Sequence, residues 1–164
     1  MNHFKLFDLP AEYLINELSL QKNYLAMQSK SHPDRARDEG DRKDKLEQSM
    51  LINEAFKILK DDYLRAVYLL ELNDQIFDDA NLKNTLTTEE LADILDQYEL
   101  VDNEENIDLL REIEKTKNQE RQQLVTAVGA AFAKNNLQQA LDLTVRLKYL
   151  TNLINNIRLK IRSV

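Results

Sequence analysis

INEAFKILKDDYLRAVYLLEL, residues 52–72, holds two helical patterns that differ in kind. Ile52, Ala55, Phe56 and Leu59 recur at i, i+3, i+4 and i+7, the spacing that places apolar side chains on one face of a helix. After Lys60 the pattern changes. Tyr63, Leu64, Val67, Tyr68 and Leu70 are apolar nearly all round, so this second helix, capped by Asp61 or Asp62, is expected to be buried between neighbours. Only two Gly and two Pro interrupt the whole chain, no segment has the strand period of two, and Leu, Glu, Lys, Asn and Gln abound. The fold class read from this is all-α.

Upstream, Asn16 can cap a helix running to about Ser31, with Leu20, Tyr24 and Met27 on one face. SHPDR, residues 31–35, ends it, because Pro33 disfavours helical geometry at His32. The following RARDEGDRKD (35–44) is charged, contains Gly40 and reads as an exposed loop, with the next helix starting near Asp44. Two antiparallel helices joined by a long charged loop are expected.

Downstream, NDQIFDDANLKNT (73–85) has no sustained period and is rich in turn formers, which places the boundary between two units there. Thr87 and Glu90 then form a capping-box pair, opening a helix with Leu91, Ile94, Leu95 and Tyr98 on one stripe. Another helix is expected from about Glu104 to a break at 134–136. In the last, Ala140, Leu143, Leu147, Leu150, Ile154, Ile157 and Ile161 alternate steps of three and four, the seam of coiled-coil-like packing. A three-helix bundle accounts for this half.

Composition narrows the function. The 164 residues, 43% hydrophobic, suffice for one ordinary domain or two small ones. No cysteine is present, which excludes disulfides, thiolate metal sites and cysteine nucleophiles, and agrees with a reducing compartment. His3 and His32 are the only histidines, so no metal site is expected. The first residues carry no secretory pattern, and no apolar run approaches the roughly 18 residues of a membrane span, so the protein is expected to be soluble and intracellular. A formal net charge of −7 argues against nonspecific nucleic-acid binding. That charge is uneven: residues 74–114 hold fourteen Asp and Glu against Lys83 and Arg111, whereas residues 137–164 hold Arg146, Lys148, Arg158, Lys160 and Arg162 against Asp142. Complementarity between packed helices, with a solvated face, is the expected reason, and recognition of a partner is the alternative.

His32 and Asp34 with Ser29 or Ser31 do not make a hydrolytic triad, since adjacent residues rarely reach triad geometry and no Gly-rich oxyanion loop accompanies them. Phosphate-loop and dinucleotide motifs are absent too, and no enzymatic activity is expected. Two readings of the tripeptide stay open: a helix stop, with Asp34 satisfying backbone donors, or a docking tip beside Lys22, Lys30, Arg35 and Arg37.

The helix, HPD, charged loop and INEAFKIL resemble the J-domain, the module that stimulates ATP hydrolysis by seventy-kilodalton heat-shock chaperones. More narrowly, FKLFDLP (4–10), residues 52–72 with RAVYLL, and the later ILDQYEL and VRLKYL resemble the HscB-type co-chaperones of iron-sulfur cluster biogenesis. The resemblance implies a J-domain at 1–72, a linker at 73–85 and a C-terminal helical bundle at 86–164 that binds the cluster scaffold. It assigns His32, Pro33 and Asp34, with Lys22, Lys30 and Arg35, to the chaperone's ATPase domain. Asp34 would make a charge-assisted contact to a partner arginine and Pro33 would hold the turn rigid. It assigns Ile94, Leu95, Tyr98, Glu99, Asp102, Lys148 and Tyr149 to the scaffold. The sequence departs from the family at Ser31, where an aromatic residue is usual, and at Asn23 and Ser29, where positive charge is frequent.

The implied function is a co-chaperone that delivers the iron-sulfur scaffold to its chaperone and triggers ATP hydrolysis. It would act as a monomer in a bacterial cytoplasm, with no cofactor and no nucleic-acid or membrane partner. A general J-domain adaptor carrying another client is the alternative.

Overall fold

The structure, a computed structural model, describes residues 2–163. No strand occurs among them. Helices follow in the order α1 (His3–Leu6), α2 (Glu17–Ser31), α3 (Glu39–Lys60), α4 (Asp62–Leu72), α5 (Asp79–Thr85), α6 (Thr88–Asn103), α7 (Ile107–Ala133) and α8 (Leu137–Ser163), with a 3-10 turn at Pro33–Arg35. The backbone divides into two compact units, Met1–Leu69 and Leu70–Val164.

In the first unit α2 starts as expected, with the Asn16 side chain accepting the Ser19 N–H at 3.0 Å. It pairs with α3 through a polar ladder. Tyr24 donates its hydroxyl to Asn53 Oδ1 at 2.7 Å, Gln28 Nε2 donates to the same oxygen at 2.6 Å, and Ser49 donates to Gln28 Oε1 at 2.9 Å. Below the ladder lie Phe4, Phe7, Leu20, Ile52, Ala55 and Leu59, all buried.

The charged loop is shorter than expected. α3 begins at Glu39, and Gly40 sits within its first turn. Asp38 accepts the Asp41 N–H at 2.8 Å as the cap, and Glu39 and Asp41 place negative charge at the positive end of the helix dipole. Those two gains outweigh one poor helix former near a terminus, where a glycine costs about 1 kcal/mol or less.

At α4 the expected cap is Asp61, whose carboxylate accepts the Leu64 N–H at 2.9 Å. The feature that periodicity did not reveal is Arg65, only 3% exposed within an otherwise apolar helix. Its guanidinium donates to Tyr13 O at 2.6 Å, Leu59 O at 2.7 Å and Asp62 Oδ1 at 2.8 Å, and lies over the Tyr13 ring. Each donation answers an acceptor that would otherwise be buried, so the charge is stabilised by geometry.

The second unit is organised on α8, which packs against both α6 and α7. Ala140, Leu147, Ile154 and Ile157 of its expected seam are buried, while Leu143, Leu150 and Ile161 are half-buried. α7 begins at Ile107 rather than near Glu104, because Asn106 accepts the Asp108 and Leu109 N–H groups as the cap. It stops where Asn135 takes a left-handed φ of 55°. The stretch 73–85 is not only connector: it contains α5, whose Leu82 is buried with Leu86, Ala131, Ala140 and Val145. Seven residues are too few for the period to show in sequence.

Part of the uneven charge is used in contacts between these helices. Arg146 meets Glu90 at 2.6 Å, Arg158 meets Glu114 at 2.7 Å, and Lys160 donates to Val101 O at 2.9 Å and also to Asp102 O, closing the C-terminus of α6.

Candidate functional site

SHPDR forms the tip between α2 and α3. Backbone φ −65° and ψ 130° at His32 are the extended values a residue before proline prefers, so the chain leaves α2 there. Pro33 opens the 3-10 turn, which Arg35 N–H to His32 O and Ala36 N–H to Pro33 O close at 3.0 Å each. His32 Nδ1 accepts the Asp34 N–H at 3.2 Å. The imidazole braces the turn from within, and Asp34 Oδ2 lies 3.4 Å from the same Nδ1 while its carboxylate stays 85% exposed. Lys45 Nζ donates to Lys30 O at 3.1 Å and satisfies the end of α2, a cross-helix contact that no local pattern could signal. Ser31 is buried, with its hydroxyl 3.5 Å from Gln48 Oε1.

Lys22, Lys30 and Arg35 are all exposed. They do not form one compact cluster, since Lys22 and Lys30 differ by about 80° around α2. Arg37, beside them, lies 3.5 Å from Asp41.

The second set of residues separates into two groups. Ile94, Tyr98 and Tyr149 line a groove of about 500 Å³ between α6 and α7, floored by α8, together with Leu124, Ala127 and Leu150. Tyr98 donates its hydroxyl to Tyr149 O at 3.1 Å. Burial raises the Tyr98 phenol above its ordinary value of 10.0, and the neighbouring Tyr149 adds to this. Leu95, Glu99 and Asp102, spaced four and three apart, form an exposed stripe on α6 outside the groove. Leu95 is 67% exposed and so does not share the packing of Ile94 and Tyr98, contrary to the single stripe expected. Lys148 is half-buried and does not line the groove; one residue along α8 turns it about 100° from Tyr149.

The groove has a structural cause. Val101 of α6 and Leu110 of α7 pack together with Leu153 and Ile157 near the connection between the two helices, and further along both follow α8 with a gap between them.

Residues 86–158 match the family described as the HSCB C-terminal oligomerisation domain. A co-chaperone protein HscB homolog of Haemophilus ducreyi is 32% identical over 162 residues, covering 93% of this chain and 91% of the relative. The chain belongs to the HscB co-chaperone family. An HscB homolog of Mannheimia succiniciproducens is 29% identical, covering 95% of this chain and 93% of the relative. Chaperone HscB from Vibrio cholerae matches with TM-score 0.80 and 25% identity over 96% of each chain. The crystal structure of human co-chaperone protein HscB shares the fold, with TM-score 0.90 over 98% of this chain and 82% of that one at 23% identity. The Haemophilus, Mannheimia and human relatives are described as co-chaperones. In this HscB-family chain, no helix among the described residues is long and apolar enough to cross a membrane.

Proposed function

We propose that this co-chaperone stimulates the ATPase of a seventy-kilodalton heat-shock chaperone through His32, Pro33 and Asp34, and brings it the iron-sulfur cluster scaffold. Support for the first half comes from the Asp34 carboxylate, presented to solvent on a turn that His32 and Pro33 hold rigid. A braced turn loses little freedom on binding, and an exposed carboxylate can form a charge-assisted bond to a partner arginine. Lys22, Lys30 and Arg35 steer an acidic chaperone surface toward it.

The second half is supported by α6. Its exposed stripe of Leu95, Glu99 and Asp102 borders the groove holding Ile94, Tyr98 and Tyr149, so apolar and acidic groups face one client. Lys148 takes part from the other side of Tyr149. The protein itself performs no bond chemistry; cluster and iron stay with the scaffold as cargo. Its bacterial relatives favour a bacterial cytoplasm, where it works as a monomer, with residues 1–72 as the J-domain, 86–158 inside the client-binding bundle and α5 within the connection.

The test is single-turnover ATP hydrolysis by the purified chaperone, with and without this protein and the scaffold. Stimulation that the scaffold enhances further, and that Asp34→Asn abolishes while leaving scaffold binding intact, is expected. Stimulation indifferent to the scaffold would make the chain a general J-domain adaptor, and none at all would reduce SHPDR to a helix stop.

A further inference from the structure

The half of the α2–α3 hairpin that carries the turn has no apolar core. Leu20 and Ile52 are the last buried apolar residues on either side of it, and Ser31 is the only residue buried between them. Side-chain hydrogen bonds join the two helices here instead, and Gln28 is where they converge. Its Nε2 donates to Ser49 O at 3.3 Å and to Asn53 Oδ1 at 2.6 Å, and its Oε1 accepts the Ser49 hydroxyl at 2.9 Å, so the whole amide is tied to α3. Tyr24, one turn earlier, donates to the same Asn53 oxygen at 2.7 Å. Nearer the tip the contacts thin to the Ser31 hydroxyl, 3.5 Å from Gln48 Oε1, and Lys45 on Lys30 O. Apolar packing is non-directional and lets one helix slide along another, whereas hydrogen bonds hold only within narrow limits of distance and angle. Gln28 lies four residues, about 6 Å along the helix, before His32. It is the last multiple tie between α2 and α3 before the chain turns.

We propose that Gln28, through Ser49 and Asn53, is a positioning residue for the chaperone contact. It fixes the register of α2 on α3 and thereby the place from which Asp34 reaches its partner. The inference rests on the chaperone reading of His32, Pro33 and Asp34; Gln28 faces α3 and acts through the turn. A purely structural role makes a different prediction. A variant that only unfolds more easily leaves fewer competent molecules, which raises the apparent half-maximal concentration and leaves the saturating rate unchanged. A folded variant that misplaces Asp34 lowers the saturating rate itself, since a displacement of about 1 Å in a reacting arrangement costs up to about a hundredfold.

The experiment titrates the purified chaperone with the full chain as wild type, Gln28→Met, Asn53→Leu, Asn53→Asp and Asp34→Asn, following single-turnover ATP hydrolysis and recording thermal midpoints alongside. Gln28→Met keeps the length of the side chain and removes the amide. It is expected to lower the saturating rate about fivefold or more, with the half-maximal concentration within about twofold of wild type. Asn53→Leu acts in the same direction, and the Gln28→Met/Asn53→Leu pair is no slower than the slower single variant, because both changes break one contact. Asn53→Asp keeps the acceptor for Gln28 and Tyr24 and should retain most of the rate. A wild-type saturating rate in Gln28→Met overturns the inference. So does a loss seen only as a higher half-maximal concentration with a lower thermal midpoint, which makes Gln28 a folding contact alone. If Asp34→Asn stimulates as wild type does, the chaperone reading falls and the inference falls with it.

Discussion

Arg65 shows most clearly what one residue can do in this fold. In sequence it reads as one charge inside YLRAVYLLEL; in the structure it joins three backbone and side-chain acceptors from three places along the chain. Arg65→Ala would remove the guanidinium bonds to Tyr13 O and Leu59 O and open a cavity under the Tyr13 ring. A loss of about 3 kcal/mol or more in denaturant unfolding is expected, and Arg65→Lys should recover little because a point charge cannot reach three diverging acceptors. His3 makes a second single-residue prediction. It stacks on Tyr68 at 4.4 Å, and burial holds its pKa below the ordinary 6.5, with Glu54 opposing. Its neutral form is thus favoured when folded. Stability from this site is fully present above pH 6.5 and declines as pH falls below it, because the unfolded chain takes up the proton first. Thermal midpoints of His3→Phe should lose that slope between pH 6.5 and 5; an identical slope in the variant would remove His3 as its source. Neither role was legible beforehand: the sequence shows residue type and spacing, whereas both depend on which backbone atoms the fold brings near.

Elements were read more reliably than their ends. The helices α2, α3, α4, α6 and α8 carry the apolar spacings seen in sequence, and Thr87 and Glu90 form the expected reciprocal cap, at 3.1 Å and 2.8 Å. Misplaced starts at Glu39 and Ile107 came from caps, Asp38 and Asn106, hidden among many other Asp and Asn residues. The stripe on α6 was misread in a more instructive way. Ile94 and Leu95 are adjacent, about 100° apart, and periodicity alone counts both as core, yet only Ile94 packs against the Leu70–Val145 cluster. Ile94→Ala should therefore cost about 1–3 kcal/mol in unfolding, and Leu95→Ala less than about 0.5 kcal/mol. Both should weaken scaffold binding. If Leu95→Ala binds the scaffold as wild type does, the exposed stripe is no part of that surface.

For the whole molecule, composition and the turn-rich stretch 73–85 already indicated a helical chain in two parts, and two of the opposed charges pair α8 with its neighbours, Arg146 with Glu90 and Arg158 with Glu114. What stayed hidden was the groove, because a gap between helices depends on where they part. Separate surfaces predict separable defects. Asp34→Asn should leave scaffold affinity within about twofold of wild type, and Leu95→Ala should leave ATPase stimulation without scaffold equally unaffected. Measuring both activities on both variants checks this, and a variant that loses both at once would show one shared surface or a folding fault. The gap between α6 and α7 also has a dynamic consequence. Near its middle and at its start α6 is attached to α8 through Tyr98 and through Glu90 with Arg146, contacts that net about 1 kcal/mol each, while its flank toward α7 is open. In deuterated water its amide protons should therefore exchange ahead of those of α8, so that the client meets the element of the bundle that opens most readily.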